Sequence, residues 1–213
     1  MKKGKLFVIS GPSAVGKGTL CKRLLSDGGS KGAKIELSVS MTTRKPRFGE
    51  KDGKSYYFVT EDEFRAEIGK GGLLEYAEVF GCLYGTPKEP VLAALERGSN
   101  VLLEIDVQGA LQVRENHPDS LLVFILPPSL AELRRRIRHR GSETAEQVAG
   151  RLSKAVSEIS AIVKYDYAVV NNHLGRAVAE LREVIEGRHA RLKAAEAAEI
   201  AKRFAGDGTA SGR

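Results

Sequence analysis

The sequence predicts an α/β fold built on a parallel sheet of five strands with helices on both faces. Short apolar segments begin near residues 6, 35, 101, 121 and 167, and segments with helical periodicity separate them. This alternation is typical of parallel sheets with right-handed crossovers. Ligands bind such sheets at the carboxyl ends of the strands. We therefore expect a binding site where these strands end.

The first strand, residues 6–10, runs directly into a glycine-rich turn and a helix. Two glycines that bracket four residues and are followed by a lysine form the phosphate-binding loop of P-loop NTPases. Main-chain N–H groups of the loop and of the helix N-terminus bind phosphate oxygens, and Lys17 reaches the terminal phosphates. The stretch predicts a nucleoside triphosphate site, with an ordinary glycine turn before a core helix as the alternative. The residues of the loop are Gly11, Pro12, Ser13, Ala14, Val15, Gly16, Lys17, Gly18 and Thr19.

The loop departs from the usual motif at its last position. Gly18 stands where a serine or threonine would bind Mg²⁺, and Thr19 comes one residue later. Mg²⁺ retains much of its hydration shell in proteins. We therefore expect the ion to be held mainly by phosphates and water, with Thr19 as one possible ligand.

Residues 41–90 do not follow the alternation of strands and helices that precedes and follows them. Residues 41–55 are polar, basic and rich in turn formers, residues 56–59 form a short strand, and Thr60 begins a helix with a capping box. Residues 73–84 predict a hairpin. We interpret residues 41–90 as an inserted small β-rich unit.

The second half of the chain returns to alternating helices and strands. The predicted helices lie at 87–96, 108–115 and 129–139, and the predicted strands at 101–106, 121–126 and 167–170. A last amphipathic helix is expected over 175–203. We place one domain at 1–204, with its core at about 1–40 and 91–190 and a helical lid at about 134–155. Residues 205–213 lack apolar anchors, so we expect a disordered tail.

The composition favours a cytoplasmic enzyme that acts on small molecules. Cys21 and Cys82 lie far apart and outside any metal-binding pattern, as expected of thiols in a reducing compartment. No apolar run reaches the length of a membrane span. The net charge of +7 is concentrated in two clusters, at residues 44–54 and 134–140, and aromatic residues are only 6% of the chain. This pattern suits two phosphate-bearing small molecules better than a nucleic acid.

The chain resembles the guanylate kinases over about residues 4–190. The loop is shared with many NTPases, but the block from Ser38 to Arg47, together with Glu75 and Tyr84, is more specific to this family. The resemblance implies phosphorylation of GMP by ATP with Mg²⁺. The other stretches that carry it are Gly49-Glu50, Gly53-Lys54-Ser55-Tyr56, Leu74-Glu75-Tyr76-Ala77, Tyr84-Gly85-Thr86, Ile105-Asp106-Val107-Gln108-Gly109 and Arg140-Gly141-Ser142-Glu143.

The resemblance also implies residues for each substrate. A phosphate dianion requires forked cationic donors and hydroxyl groups, and guanine requires a carboxylate acceptor for its N1–H and N2–H₂ donors. The residues implied for the GMP phosphate are Arg44, Arg47, Tyr56 and Tyr84. Those implied for the guanine are Ser40, Glu75, Thr86 and Asp106. Those implied for ATP are the lid arginines Arg136, Arg140 and Arg151, together with Asn171 at the adenine. Glu104 stands where the family has an aspartate near Mg²⁺.

The reaction needs no general base, because a nucleoside monophosphate is already mostly dianionic at pH 7. Catalysis then depends on alignment and on stabilising negative charge, for which we expect Lys17, Arg44, Arg140 and Arg151 to be responsible. Three alternatives remain open at this point: a non-catalytic scaffold domain of the same fold, a small-molecule kinase with another acceptor, and a nucleic-acid binder.

Overall fold

The computed structural model describes residues 3–29, 34–79, 81–139 and 144–210. These residues divide into two compact units. Of the described residues, the first unit contains 3–8, 34–79 and 81–120, and the second contains 9–29, 121–139 and 144–210. The predicted division into core, insertion and lid stays a prediction.

The strands of the described residues are, in chain order, Leu6–Ser10 (β1), Ile35–Leu37 (β2), Met41–Thr42 (β3), Tyr57–Phe58 (β4), Leu73–Val79 (β5), Cys82–Pro87 (β6), Asn100–Glu104 (β7), Leu121–Leu126 (β8) and Tyr167–Val170 (β9). The α-helices are Lys17–Ser26 (α1), Glu61–Gly69 (α2), Lys88–Glu96 (α3), Val107–Asn116 (α4), Leu130–Arg138 (α5), Ala145–Ser160 (α6), Leu174–Ile185 (α7) and Ala194–Ala210 (α8), with a 3-10 helix at Ala161–Lys164.

The main sheet confirms the predicted five-stranded α/β architecture. Its strand order is β2-β7-β1-β8-β9, and β2 with β7 and β8 with β9 pair in parallel. All of β1 and nearly all of β8 is buried. Strands of a parallel sheet are covered on both faces, which is why these two segments are continuously apolar in sequence.

A second, four-stranded sheet has the order β4-β3-β6-β5. Strands β5 and β6 form the predicted hairpin, with a register shift between Leu73 and Tyr76. The strand predicted to begin near residue 35 is short and extends only over Ile35–Leu37. The chain leaves the main sheet after Ser38, whose N–H still donates to Leu102, and enters the second sheet as β3 at Met41.

The prediction of one helix over residues 175–203 is wrong, because two helices occupy this region. Gly187, with φ of 73°, follows α7 in a backbone conformation that favours glycine, and the helix ends there. In α8 the side chains of Ala197 and Phe204 are buried. Phe204 anchors α8, and adding residues to a helix that has already formed costs little, so α8 continues to Ala210 and does not end at residue 203. The structure therefore corrects the expected disorder at 205–210, while residues 211–213 lie outside the described residues.

In the second unit, α6 packs against α5 and α8. Its first turn is fixed by a capping box, in which Thr144 and Gln147 bind each other's main-chain N–H groups. Across the described ranges, no helix has both the length and the apolar character needed to cross a membrane.

Candidate functional site

The turn between β1 and α1 adopts a backbone that requires glycine at two positions. Gly11 has φ of 143° and Gly16 has φ of 98°. A Cβ at Gly11 would lie 2.4 Å from the main-chain oxygen of Ile125, and a Cβ at Gly16 would lie 2.6 Å from Nδ2 of Asn171. Any other residue would be strained and would collide with the end of β8 or with the residue that follows β9. The two glycines thus allow the loop to pack directly on the carboxyl ends of these strands.

Lys17 is the first residue of α1, and its ammonium group lies over this loop. Its Nζ donates to the main-chain oxygens of Gly11 at 2.6 Å and Pro12 at 3.3 Å. The N-cap residue, Gly16, provides no side-chain acceptor, and the first turn of α1 contains no acidic residue. The N–H groups of that turn and the ammonium group therefore form a positive end suited to phosphate oxygens.

Two residues predicted to bind ATP hold the main chain of the loop. Arg136 donates from Nη1 to the main-chain oxygen of Val15 at 3.2 Å and from Nη2 to that of Asn171 at 2.9 Å. Asn171 donates from Nδ2 to the same Val15 oxygen at 2.8 Å. Both side chains thus fix the geometry of the loop, whether or not they also contact a nucleotide.

Glu132 supports this arrangement and was missed from the sequence. Its carboxylate accepts from Nε of Arg136 at 2.8 Å, and it also pairs with Arg135. Hydrogen bonds from Arg135 and Arg136 lower the pKa of Glu132 to about 2. The spacing of Glu132 and Arg136, four residues apart on one helix, was the available signal.

Three further residues were predicted on the triphosphate side of the site. Arg151 lies half-buried on α6, and Thr19 is exposed in the first turn of α1. Arg140 lies outside the described residues. Within the described part of the chain, no group of three His, Cys, Asp or Glu side chains has the arrangement of metal ligands.

A buried carboxylate lies at the centre of the candidate site in the first unit. Glu75 of β5 is only 4% exposed, and its Oε1 accepts from the hydroxyl of Thr86 on β6 at 2.6 Å. Burial, and secondarily the negative charge of Asp106, raise the pKa of Glu75 to about 7, although the hydrogen bond from Thr86 opposes this. The structure therefore brings together three of the four residues predicted to recognise a base.

Asp106 has a second, structural role that the sequence did not reveal. It is the N-cap of α4, and its Oδ1 accepts from the N–H groups of Gln108 at 2.7 Å and Gly109 at 3.1 Å. Ser40, the fourth predicted residue, lies one position before β3, where Met41 pairs with Gly85, the neighbour of Thr86.

Arg44 lies at the centre of the predicted phosphate-binding group. Its guanidinium group is 5.4 Å from the ring centre of Tyr56 and also interacts with the hydroxyl of Tyr84. The rings of Tyr56 and Tyr84 meet edge to face, 6.1 Å apart. Arg47 is exposed on the neighbouring loop. Three of the four predicted residues thus form one cluster, and the fourth lies three residues from Arg44.

Glu50 orients this cluster, although sequence reasoning gave it no role. Both of its oxygens lie 3.0 Å from Nη2 of Arg44, and the N–H of Arg47 donates to Oε2 at 2.8 Å. Burial alone would raise the pKa of Glu50, but the hydrogen bonds from Arg47 and Arg44 lower it overall. Glu50 therefore remains ionised and holds Arg44 in place.

Glu104, at the end of β7, is electrostatically coupled to the same cluster. Burial raises the pKa of Tyr56, and the negative charge of Glu104 raises it further. Tyr56 is therefore a neutral hydroxyl at physiological pH and can donate a hydrogen bond to an anion.

The raised pKa of Glu75 predicts a pH-dependent contribution to folding stability. Between about 4.5 and 7 the folded protein binds this proton more tightly than the unfolded chain does, so Glu75 lowers the free energy of unfolding as pH rises. A shift of this size corresponds to about 3 kcal/mol. We expect Glu75→Gln to gain stability relative to wild type between pH 4.5 and pH 8, measured by urea denaturation. A pH-independent difference would contradict the assignment.

Comparison with known proteins gives a consistent result. The guanylate kinase family model matches residues 3–188. The guanylate kinase of Clostridium acetobutylicum is 50% identical over 191 residues, which cover 90% of this chain and 89% of that protein. The guanylate kinase of Caldanaerobacter subterraneus is 48% identical over 191 residues, covering 90% and 91%. The crystal structure of guanylate kinase from Anaplasma phagocytophilum matches with a TM-score of 0.72 and 35% identity, covering 88% of this chain and 87% of that one.

Proposed function

The chain belongs to the guanylate kinase family and catalyses the ATP-dependent phosphorylation of GMP to GDP, and we propose that the two groups of side chains described above bind its two substrates. The loop of the second unit binds ATP. The buried carboxylate and the arginine–tyrosine cluster of the first unit bind GMP. The observation that carries this assignment is the hydrogen-bonded pair of Glu75 and Thr86 beside Asp106.

Guanine recognition follows from the acceptors and donors of this pair. An ionised Glu75 accepts hydrogen bonds from N1–H and N2–H₂ of guanine. The hydroxyl of Thr86 donates to Glu75 and so orients this acceptor, while the hydroxyl of Ser40 is suited to O6. Adenine has neither the N1 proton nor the N2 amine. It would leave a buried carboxylate unpaired, which is a strong way to reject a substrate.

The phosphate of GMP is bound by Arg44, Arg47, Tyr56 and Tyr84. Arg44 and the two tyrosine hydroxyls supply charge-assisted hydrogen bonds from one side. Binding of a dianion competes with Glu50 for Arg44, so the cluster exchanges one anionic partner for another. We propose the same site for dGMP, because no residue assigned to the phosphate or base depends on the ribose.

Transfer of the γ-phosphoryl group occurs directly between the nucleotides. The GMP phosphate is mostly dianionic at neutral pH, so one of its oxygens attacks without a general base. The protein aligns two mutually repelling phosphates and stabilises the negative charge that spreads over the transferred group. We assign this stabilisation to Lys17, to Arg44 and to the lid arginines Arg140 and Arg151. Arg136 and Asn171 hold the phosphate-binding loop in shape and lie beside ATP.

Mg²⁺ bound to the phosphates of ATP would neutralise charge on the β- and γ-phosphates. The donor set is compatible with an ion that retains water, since Thr19 supplies a single hydroxyl group in the first turn of α1. Glu104 is the other side chain to which we assign a role near the ion. Closure of a lid at about 134–155 would exclude the water that otherwise hydrolyses ATP.

We further propose that the enzyme acts in the cytoplasm on small molecules and does not bind nucleic acid. Cys21 is a buried thiol and Cys82 a half-buried one, as expected in a reducing compartment. An electrophoretic mobility shift at low and moderate salt tests the second statement. Binding that weakens steeply with salt would contradict it.

The nucleotide specificity tests the proposed function directly. ADP release is measured by a coupled assay with ATP and each of GMP, AMP, CMP and UMP, and with no acceptor as the control for hydrolysis. We expect kcat/KM for GMP to exceed the value for AMP by about 10⁴-fold or more, since the adenine of AMP would leave the buried carboxylate unpaired. Comparable turnover of AMP and GMP would overturn the assignment of the buried carboxylate.

A further inference from the structure

Gly109 lies against the buried carboxylate of Glu75. It is the third residue of α4, and its N–H donates to Oδ1 of Asp106. A Cβ at this position would lie 2.3 Å from Oε2 of Glu75 and 2.9 Å from its Cδ. Both distances are far shorter than a van der Waals contact. Because Gly109 has only a hydrogen atom in place of a side chain, α4 and the carboxylate of Glu75 can approach each other this closely.

The carboxylate cannot easily move away from an added methyl group. Its other oxygen, Oε1, is held by the hydroxyl of Thr86 at 2.6 Å. Both side chains are buried, Glu75 at 4% exposure and Thr86 at 0%. Strand β5 also packs directly against α4. An added methyl group would therefore have to turn the carboxylate, lengthen its bond to Thr86 or push α4 away.

We propose that Gly109 is a positioning residue for guanine recognition, because its lack of a side chain lets Glu75 lie against the first turn of α4 while Thr86 holds its Oε1 in place. The inference rests on the proposed function of Glu75. Gly109 acts through Glu75 and does not itself contact the substrate in this proposal.

The first test is Gly109→Ala. Alanine is the better helix former, so helix propensity alone predicts no loss of stability. If the contact with Glu75 matters, a displacement of the carboxylate by about 1 Å should lower kcat/KM for GMP about 10- to 100-fold. KM for ATP should remain within about twofold, because the loop that binds ATP is unaltered. GMP efficiency within about twofold of wild type would overturn the proposal.

Gly175→Ala is the matched control. Gly175 lies in the first turn of α7, is exposed, and has no atom within 4 Å of the position of an added Cβ. Its substitution should leave kcat/KM for GMP and KM for ATP within about twofold of wild type. An equal loss of GMP efficiency in both variants would mean that alanine in a first helical turn is harmful in general, and would overturn the proposal.

A compensating substitution separates positioning of Glu75 from a general structural role. Aspartate is one methylene shorter, so Glu75→Asp withdraws the carboxylate from the space that the new methyl group takes. Glutamine retains the length and thus the collision. We expect Gly109→Ala to lower the melting temperature in the wild-type and Glu75→Gln backgrounds, and to have little effect in the Glu75→Asp background. Equal effects in all three backgrounds would overturn the proposal.

The same comparison decides the matter if Gly109→Ala alone does not fold. A folded Glu75→Asp/Gly109→Ala double variant would support the proposal, whereas an unfolded one would place the collision elsewhere and overturn it. GMP turnover by the wild-type enzyme is measured first, so a failure of the proposed function is seen independently. The melting temperatures test the contact between Gly109 and Glu75 whatever the substrate is.

Discussion

Lys17→Ala is expected to abolish phosphoryl transfer while the protein remains folded. Lys17 begins α1 at the surface loop, and its ammonium group already lies within 2.6 Å and 3.3 Å of two main-chain oxygens of that loop. Its charge acts on the phosphoryl group as negative charge develops. Removal of one such preorganised group costs about 10²- to 10³-fold in kcat, and Lys17 also contributes to binding of ATP. The fall in kcat/KM for ATP should therefore exceed the fall in kcat.

Two further variants make this result interpretable. Lys22→Ala removes an exposed lysine of the same helix, so it controls for the loss of one positive charge from α1. Lys17→Met keeps the length of the side chain without its charge and should be as inactive as Lys17→Ala. The measurements are initial rates of ADP release and circular dichroism of each variant. Near-normal turnover by a folded Lys17→Ala protein would reject this loop as the ATP site.

The loop could be predicted because its signal is local in the sequence. An apolar strand, two glycines at fixed spacing and a lysine at the start of a helix occur within residues 6–17, and each has a direct structural counterpart. The packing of the loop could not be predicted in this way. The shared Val15 oxygen that Arg136 and Asn171 bind depends on residues more than a hundred positions apart.

The C-terminal helices show a different limit of prediction from hydrophobic periodicity. An amphipathic pattern continues through Gly187, so periodicity alone indicates one helix where the structure has α7 and α8. A single glycine inside a helical pattern reduces helix stability by only about 1 kcal/mol, which tertiary packing can override in either direction. Here the burial of Ala197 and Phe204 on a separate helix decides the outcome.

The candidate GMP site could be predicted as a set of residues but not as an arrangement. The resemblance supplied Glu75, Thr86, Asp106, Arg44 and Tyr84, and the structure brings these side chains into two neighbouring clusters. It did not supply the supporting contacts, such as the capping of α4 by Asp106. The approach of Asp106 to Glu75 joins positions about thirty residues apart, and neither hydrophobic periodicity nor spacing carries information about it.

Glu75→Gln is expected to remove the preference for guanine. Oε1 of Glu75 already accepts the hydroxyl of Thr86, so the glutamine would keep its oxygen there and present its NH₂ group where guanine presents a donor. Two charge-assisted hydrogen bonds would be lost, each worth about 1.5–3 kcal/mol. We therefore expect kcat/KM for GMP to fall by about two to four orders of magnitude, at about 1.4 kcal/mol for each tenfold change.

The cluster of Arg44, Tyr56 and Tyr84 leads to a second, independent expectation for the same variant. Arg44 and Tyr84 do not contact Glu75 through any bond that the substitution removes, so binding of the phosphate should persist and allow weak, less selective turnover of AMP. Glu78→Gln is the matched control, since Glu78 is exposed on the same strand and should leave both substrates unaffected. The measurement is kcat/KM for GMP and AMP in wild type and both variants, with folding checked by circular dichroism. A GMP-to-AMP ratio that does not change in folded Glu75→Gln would exclude Glu75 from base recognition, because a buried carboxylate that accepts both guanine donors cannot be neutralised without loss of discrimination.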